Sequence, residues 1–203
     1  MKASRLSQGN GLAPRAAVSP LATAAWLACA VTLLAAAPAG VRAEGGIATK
    51  STMIWNIAKF IRWPEAAFAK GNGDFVFTIL GQDSLAEALA ADMSTRTLAT
   101  RPVFVRVVGR PQDVVGSQIV YVATSARGRL PEVLRLLHNG PVLTLADSPG
   151  FITDGGMVDF TLERDGRVRF EIHQERAEQA GLKVSAKLLA IARVVESNPA
   201  ATR

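Results

Sequence analysis

Four short apolar runs restrict what this chain can fold into. "FVFTIL" (Phe75 to Leu80), "VFVRVV" (Val103 to Val108), "IVYVA" (Ile119 to Ala123) and "VLTL" (Val142 to Leu145) are strand-length. Each is unbroken enough to be covered on both faces. Helix-patterned segments lie among them. Ile54, Ile57, Ala58 and Ile61 recur at helical spacing from Lys50 to Trp63, and Pro64 ends that helix by forcing its predecessor out of the helical region. Ser84 and Glu87 form a capping-box start for a helix to about Met93. Leu130, Val133, Leu134 and Leu137 mark another, with Pro131 in its first turn and Gly140 at its stop. "MVDFTL" and "RVRFEI" flank Asp165-Gly166, a hairpin signal. A helix from Gln174 to Ala180 stops at Gly181, and Val184, Leu188, Ile191 and Val195 line one face of a last helix. Alternating strands and helices predict a three-layer α/β/α domain with a mainly parallel sheet and a C-terminal antiparallel hairpin at its edge.

The first 43 residues read as a secretory signal peptide. Lys2, Arg5 and Arg15 precede the uninterrupted apolar run Leu21 to Ala37; Pro38 and Gly40 break it, and Val41-Arg42-Ala43 supplies the cleavage site. The competing reading, an uncleaved anchor, requires a longer run than this Ala-rich one. Residues 44–203 then form a single domain. The whole chain carries 23 basic and 17 acidic residues. Lys2, Arg5, Arg15 and Arg42 leave with the leader, so the remainder is close to neutral and has no basic run for nucleic acid. The single cysteine, Cys29, lies in the leader. Disulfides, thiol nucleophiles and cysteine-based metal clusters are therefore excluded from the exported domain.

Little in the chain suggests bond chemistry. The nucleophile elbow, the phosphate loop and the dinucleotide fingerprint are all missing. "HQE" at His173 offers two metal ligands without a third at motif spacing, and His138 suits the last turn of a helix. Asp83 and Asp147, in "GQDS" and "ADSPG", lie where open α/β sheets bind ligands, yet turn and cap duties account for them. In the hairpin, Arg167, Arg169, Glu171 and His173 share one face. That face is either a solvated edge or a polar pocket wall made by Glu171 and His173. Trp55, Lys59 and Arg62, at i, i+4 and i+7, are either a tryptophan under two solvated cations or a ligand patch.

The order of "NIAKFIRWPEAAF", "FVFTILGQDSLAEAL", "RPVFVRVV", "IVYVATS" and the segment from "GPVLTLADSPG" through "GGMVDF", "RVRFEI" and "AGLKVSAKLL" resembles the YfiR family from about Lys50 to Val195. The resemblance implies a regulator and no enzyme. Members inhibit a membrane-bound diguanylate cyclase of the YfiN type by docking on its periplasmic region, which lowers cyclic-di-GMP and restrains biofilm formation. An outer-membrane lipoprotein of the YfiB type can sequester them. Homodimers and a small-ligand pocket are further implied, and no cofactor. The arginine before Trp-Pro, Arg62 here, is the implied ligand residue, with Glu171 and His173 beside it. Glu171 is expected to pair with Arg62, and His173 to add a pH-sensitive donor. The alternative is a periplasmic small-molecule binding protein without a cyclase partner.

Overall fold

The computed structural model describes residues 39–69, 73–138, 140–163, 165 and 167–196, with 39–45 described by their backbone alone. From Arg42 onward the chain forms one compact unit. The expected leader lies almost wholly outside the described residues. Among the described residues no helix is long and apolar enough to cross a membrane.

The elements, in order, are α1 (Ala39–Lys59), β1 (Ile61–Arg62), β2 (Phe75–Leu80), α2 (Ser84–Met93), β3 (Thr97–Leu98), β4 (Arg101–Val108) and β5 (Ile119–Val122). There follow α3 (Leu130–Leu137), β6 (Leu143–Ala146), β7 (Val158–Leu162), β8 (Val168–Ile172), α4 (Gln174–Gln179), β9 (Lys183–Val184), α5 (Ala186–Leu189) and β10 (Arg193–Val194). Eight strands form one sheet in the order β10-β8-β7-β6-β5-β2-β4-β3, while β1 and β9 form a separate antiparallel ribbon. Pairings from β4 across to β7 are parallel, and the β7–β8 hairpin is antiparallel.

Period-two alternation distributes the core between two faces. Phe77 and Ile79 of β2, Ile119 and Tyr121 of β5, and Leu143 and Leu145 of β6 pack on one side with Ile54 and Ile57 of α1 and Leu85 and Leu89 of α2. Leu80, Val120, Val122 and Ala146 face the other side, against Leu130, Val133 and Leu137 of α3. The expected layers and mainly parallel sheet are those observed.

Four expectations about the elements are corrected. The first helix ends at Lys59, four residues before Trp63, because Ile61 and Arg62 pair with Val184 and Lys183. The cap of α2 is Asp83, whose carboxylate accepts from Ala86 N at 2.7 Å, and Ser84 is already helical. The last helix is a single turn, Ala186–Leu189, preceded by β9 and followed by β10. Finally, the hairpin is not the outermost element: β10 lies beyond β8, parallel to it, with Arg193 opposite Glu171.

Candidate functional site

Trp63 and Pro64 determine where Arg62 sits. The Trp63 indole donates to Gln118 O at 3.1 Å and meets the Phe75 ring edge-on at 4.9 Å. Pro64 then precedes a turn of 3-10 helix, Glu65–Phe68. With the residues after it anchored and its own backbone in the ribbon opposite Lys183, Arg62 is held at a fixed point of the surface, exposed. Two hollows share Lys59 and Arg62 as their rim. One, of about 460 Å³, is bounded by Lys183, Ser185 and Lys187. The other, of about 680 Å³, is bounded by Trp63, Phe68, Phe75 and Arg101, whose guanidinium lies 4.1 Å from the Phe68 ring centroid.

Neither Glu171 nor His173 borders those hollows. The counter-ion of Glu171 is Arg193 of β10, at 2.9 Å, and not the expected Arg62. Cross-strand geometry explains this, since β10 puts Arg193 beside Glu171 in register. His173 is 3 % exposed and caps α4, with Nδ1 accepting from Arg176 N at 3.4 Å. Burial, and then the nearby Arg176, lower its pKa below the usual histidine value, so the ring stays neutral at pH 7. A buried neutral cap replaces the expected pH-sensitive donor. The cation over Trp55 is likewise Arg96, at 4.8 Å, in place of Lys59 or Arg62. Arg96 is positioned there by Asp92, which also accepts from Ser51 of α1 at 2.7 Å.

At the carboxyl ends of the parallel strands the polar groups are committed to one another. Asp83 accepts from Thr124 N at 2.8 Å and from the Tyr121 hydroxyl at 3.2 Å, besides its cap bond. Asp147 pairs with Lys50 of α1 at 2.5 Å. The Tyr121 hydroxyl is pushed above its ordinary pKa by burial and then by Asp83 and Asp147. The cap duty expected of Asp83 is observed, whereas Asp147 serves as the counter-ion of Lys50.

Sequence reasoning missed Asp159. It is buried on β7, one Oδ1 accepting from Ser148 N at 3.2 Å and Phe160 N at 2.9 Å. Burial, then Asp147 and Glu171, push its pKa up to about 6 against two backbone hydrogen bonds that lower it. Asp159 alternates with the apolar Val158 and Phe160 along β7, and its carboxylate is enclosed where the 147–148 turn brings Ser148 N onto it.

Among solved structures, a conserved domain protein from Vibrio cholerae O1 biovar El Tor matches with a TM-score of 0.50 at 10% identity, over 72% of this chain and 60% of its own. A Streptococcus pneumoniae ABC domain in complex with L-Trp matches with a TM-score of 0.46 at 12% identity, over 64% of this chain and 58% of its own. The chain thus spans about three-fifths of the length of each, and the likeness to the first is one of α/β fold alone. No curated protein matches. The model of the YfiR/HmsC-like family matches residues 48–193, which takes in α1 from its middle through the first residue of β10. The chain belongs to the YfiR/HmsC-like family.

Proposed function

We propose that the protein is a periplasmic protein-binding regulator that represses a membrane-bound diguanylate cyclase, lowering cyclic-di-GMP and restraining biofilm formation. The observation that carries this reading is the family match over residues 48–193. A signal peptide over residues 1–43 delivers the domain of residues 44–203 to the periplasm. There it grips the periplasmic region of the cyclase, acts as a homodimer, and is withdrawn by an outer-membrane lipoprotein. Repression of this kind requires unequal affinity for two states of the cyclase, since equal affinity shifts no equilibrium. Output by binding also agrees with the committed state of Asp83, Asp147 and Tyr121, which serve the fold.

In this reading a small ligand docks at Arg62 and tunes the bias between those states. The exposed guanidinium, fixed beside an aromatic hollow bounded by Trp63 and Phe68, supports that assignment. Glu171 and His173 contribute by holding the hairpin and the start of α4. The same hollow favours the second reading, a periplasmic small-molecule binding protein without a cyclase partner. Cyclic-di-GMP measured in a deletion strain, with crosslinking of tagged protein to inner-membrane partners, separates the two. Repression predicts a rise in cyclic-di-GMP and a crosslinked cyclase. An unchanged level with no cyclase captured removes the regulator and leaves the binding protein.

A further inference from the structure

The β1–β9 ribbon sets Arg62 directly opposite Lys183, a like-charge pair of the kind that destabilises a ladder. Lys59 and Lys187 join them around one hollow, which Ser185 completes and no carboxylate borders. All four cations are exposed, and among the described residues none has an ion pair or a side-chain hydrogen bond. The other described cationic side chains are treated differently. Lys50, Arg96, Arg101, Arg110, Arg127, Arg167, Arg169 and Arg193 each meet a carboxylate. Arg106, Arg129 and Arg176 donate to hydroxyl or carbonyl oxygens, and only Arg135 stands apart. Position at the end of α1 accounts for Lys59, where a cation suits the helix dipole, but for none of the other three.

We infer that this hollow is a site for an oxyanion of more than one negative charge, of the phosphate class. Arg62 offers a planar fork to two oxygens, and the three lysines supply point charges around it. The Ser185 oxygen accepts from Lys187 N at 3.3 Å, which leaves its proton to be donated to the anion. A bound polyanion relieves the repulsion between Arg62 and Lys183, for which the described residues supply no counter-charge. The site shares Arg62 with the ligand reading above and is independent of the cyclase.

Titration calorimetry of the full chain with pyrophosphate, at ionic strength held constant with chloride, tests the site. Cosedimentation with vesicles containing phosphatidic acid, whose phosphomonoester can carry two negative charges, against phosphatidylcholine ones, forms a second arm. The expected result is saturable pyrophosphate binding that weakens at least tenfold in Lys183→Gln/Lys187→Gln and is unchanged in Arg135→Gln. Binding confined to phosphatidic acid vesicles and lost in the double variant identifies a headgroup as the source of the same phosphate chemistry. Absence of binding in both arms, or equal affinity in the double variant, overturns the site. Both lysines are exposed, and a matching melting temperature shows that the double variant folds; Lys187→Gln alone gives a second, milder test. Arg62 is intact in these variants and cyclic-di-GMP is not read, so failure here and failure of the regulator proposal are distinguishable.

Discussion

Asp159 and Glu171 stand directly opposite each other on β7 and β8, and among the described residues only Glu171 has a cation against it. Burial above all, and then the like charges of Asp147 and Glu171, disfavour the ionised form of Asp159. Its folded pKa, about 6, exceeds its ordinary 3.8, so the folded protein holds a proton that the unfolded chain releases. Stability from this group is present below pH 4 and is lost as pH rises to about 6, by at most roughly 3 kcal/mol. Asp159→Asn keeps an Oδ1 for both backbone amides and removes the charge. The variant is expected to be more stable than the native protein by about 1–3 kcal/mol at pH 7.5. The difference closes towards pH 4.5, as thermal melts across that range will measure.

Tyr121 is fully buried, with its hydroxyl on Asp83. Tyr121→Phe loses one hydrogen bond and should cost about 1 kcal/mol. Asp83→Ala removes the cap of α2 and leaves Thr124 N and the tyrosine hydroxyl unpaired, so it should cost roughly 3 kcal/mol. Denaturant melts of both variants check the ordering.

Arg62 is exposed and its guanidinium has no ion pair or hydrogen bond among the described residues, whereas Trp63 beside it is anchored to Gln118 and Phe75. Arg62→Ala should leave stability within about 0.5 kcal/mol. Trp63→Ala should destabilise by roughly 2–3 kcal/mol through lost burial and a lost hydrogen bond. If the ligand role belongs to Arg62, the first variant loses small-ligand binding with an unchanged melt; a collapsed melt for Arg62→Ala would recast the residue as structural.

Thr78 and Ser117 are both buried and share a 2.6 Å hydrogen bond, and Ser117 Oγ lies 2.7 Å from Val114 O. Arg106 donates to both hydroxyls. Ser117→Ala leaves the Thr78 hydroxyl and the guanidinium short of a partner, and should cost about 1–2 kcal/mol. Faster hydrogen exchange of amides in β2 and β4 is the accompanying local readout.

Sequence legibility followed how local the deciding interactions are. β2 and β5 were readable because both faces of each strand are covered, which demands continuous apolar runs. α3 was readable because its apolar residues repeat within two turns and Pro131 marks its start. The last helix was misread for the converse reason. Val184, Leu188, Ile191 and Val195 satisfy a helical period, yet Ile191 is 66 % exposed; Leu188 is buried, and Val184 packs half-buried against the core. The ribbon partner of Val184 and the sheet partner of Arg193 decide that segment, and neither is nearby in the chain. The site divides the same way. Arg62 and its Trp-Pro anchor form a contiguous motif, whereas the Glu171–Arg193 pair and the burial of Asp159 arise from strand order.

The position of β10 also orders events during synthesis. The outer flank of β8 is closed by Arg193 and Val194, and Val195 N bonds to Ile172 O at 2.9 Å. Until the ribosome has released that stretch, the hairpin has an open side and Glu171 lacks its counter-charge. This flank can therefore be completed only after translation has passed β10.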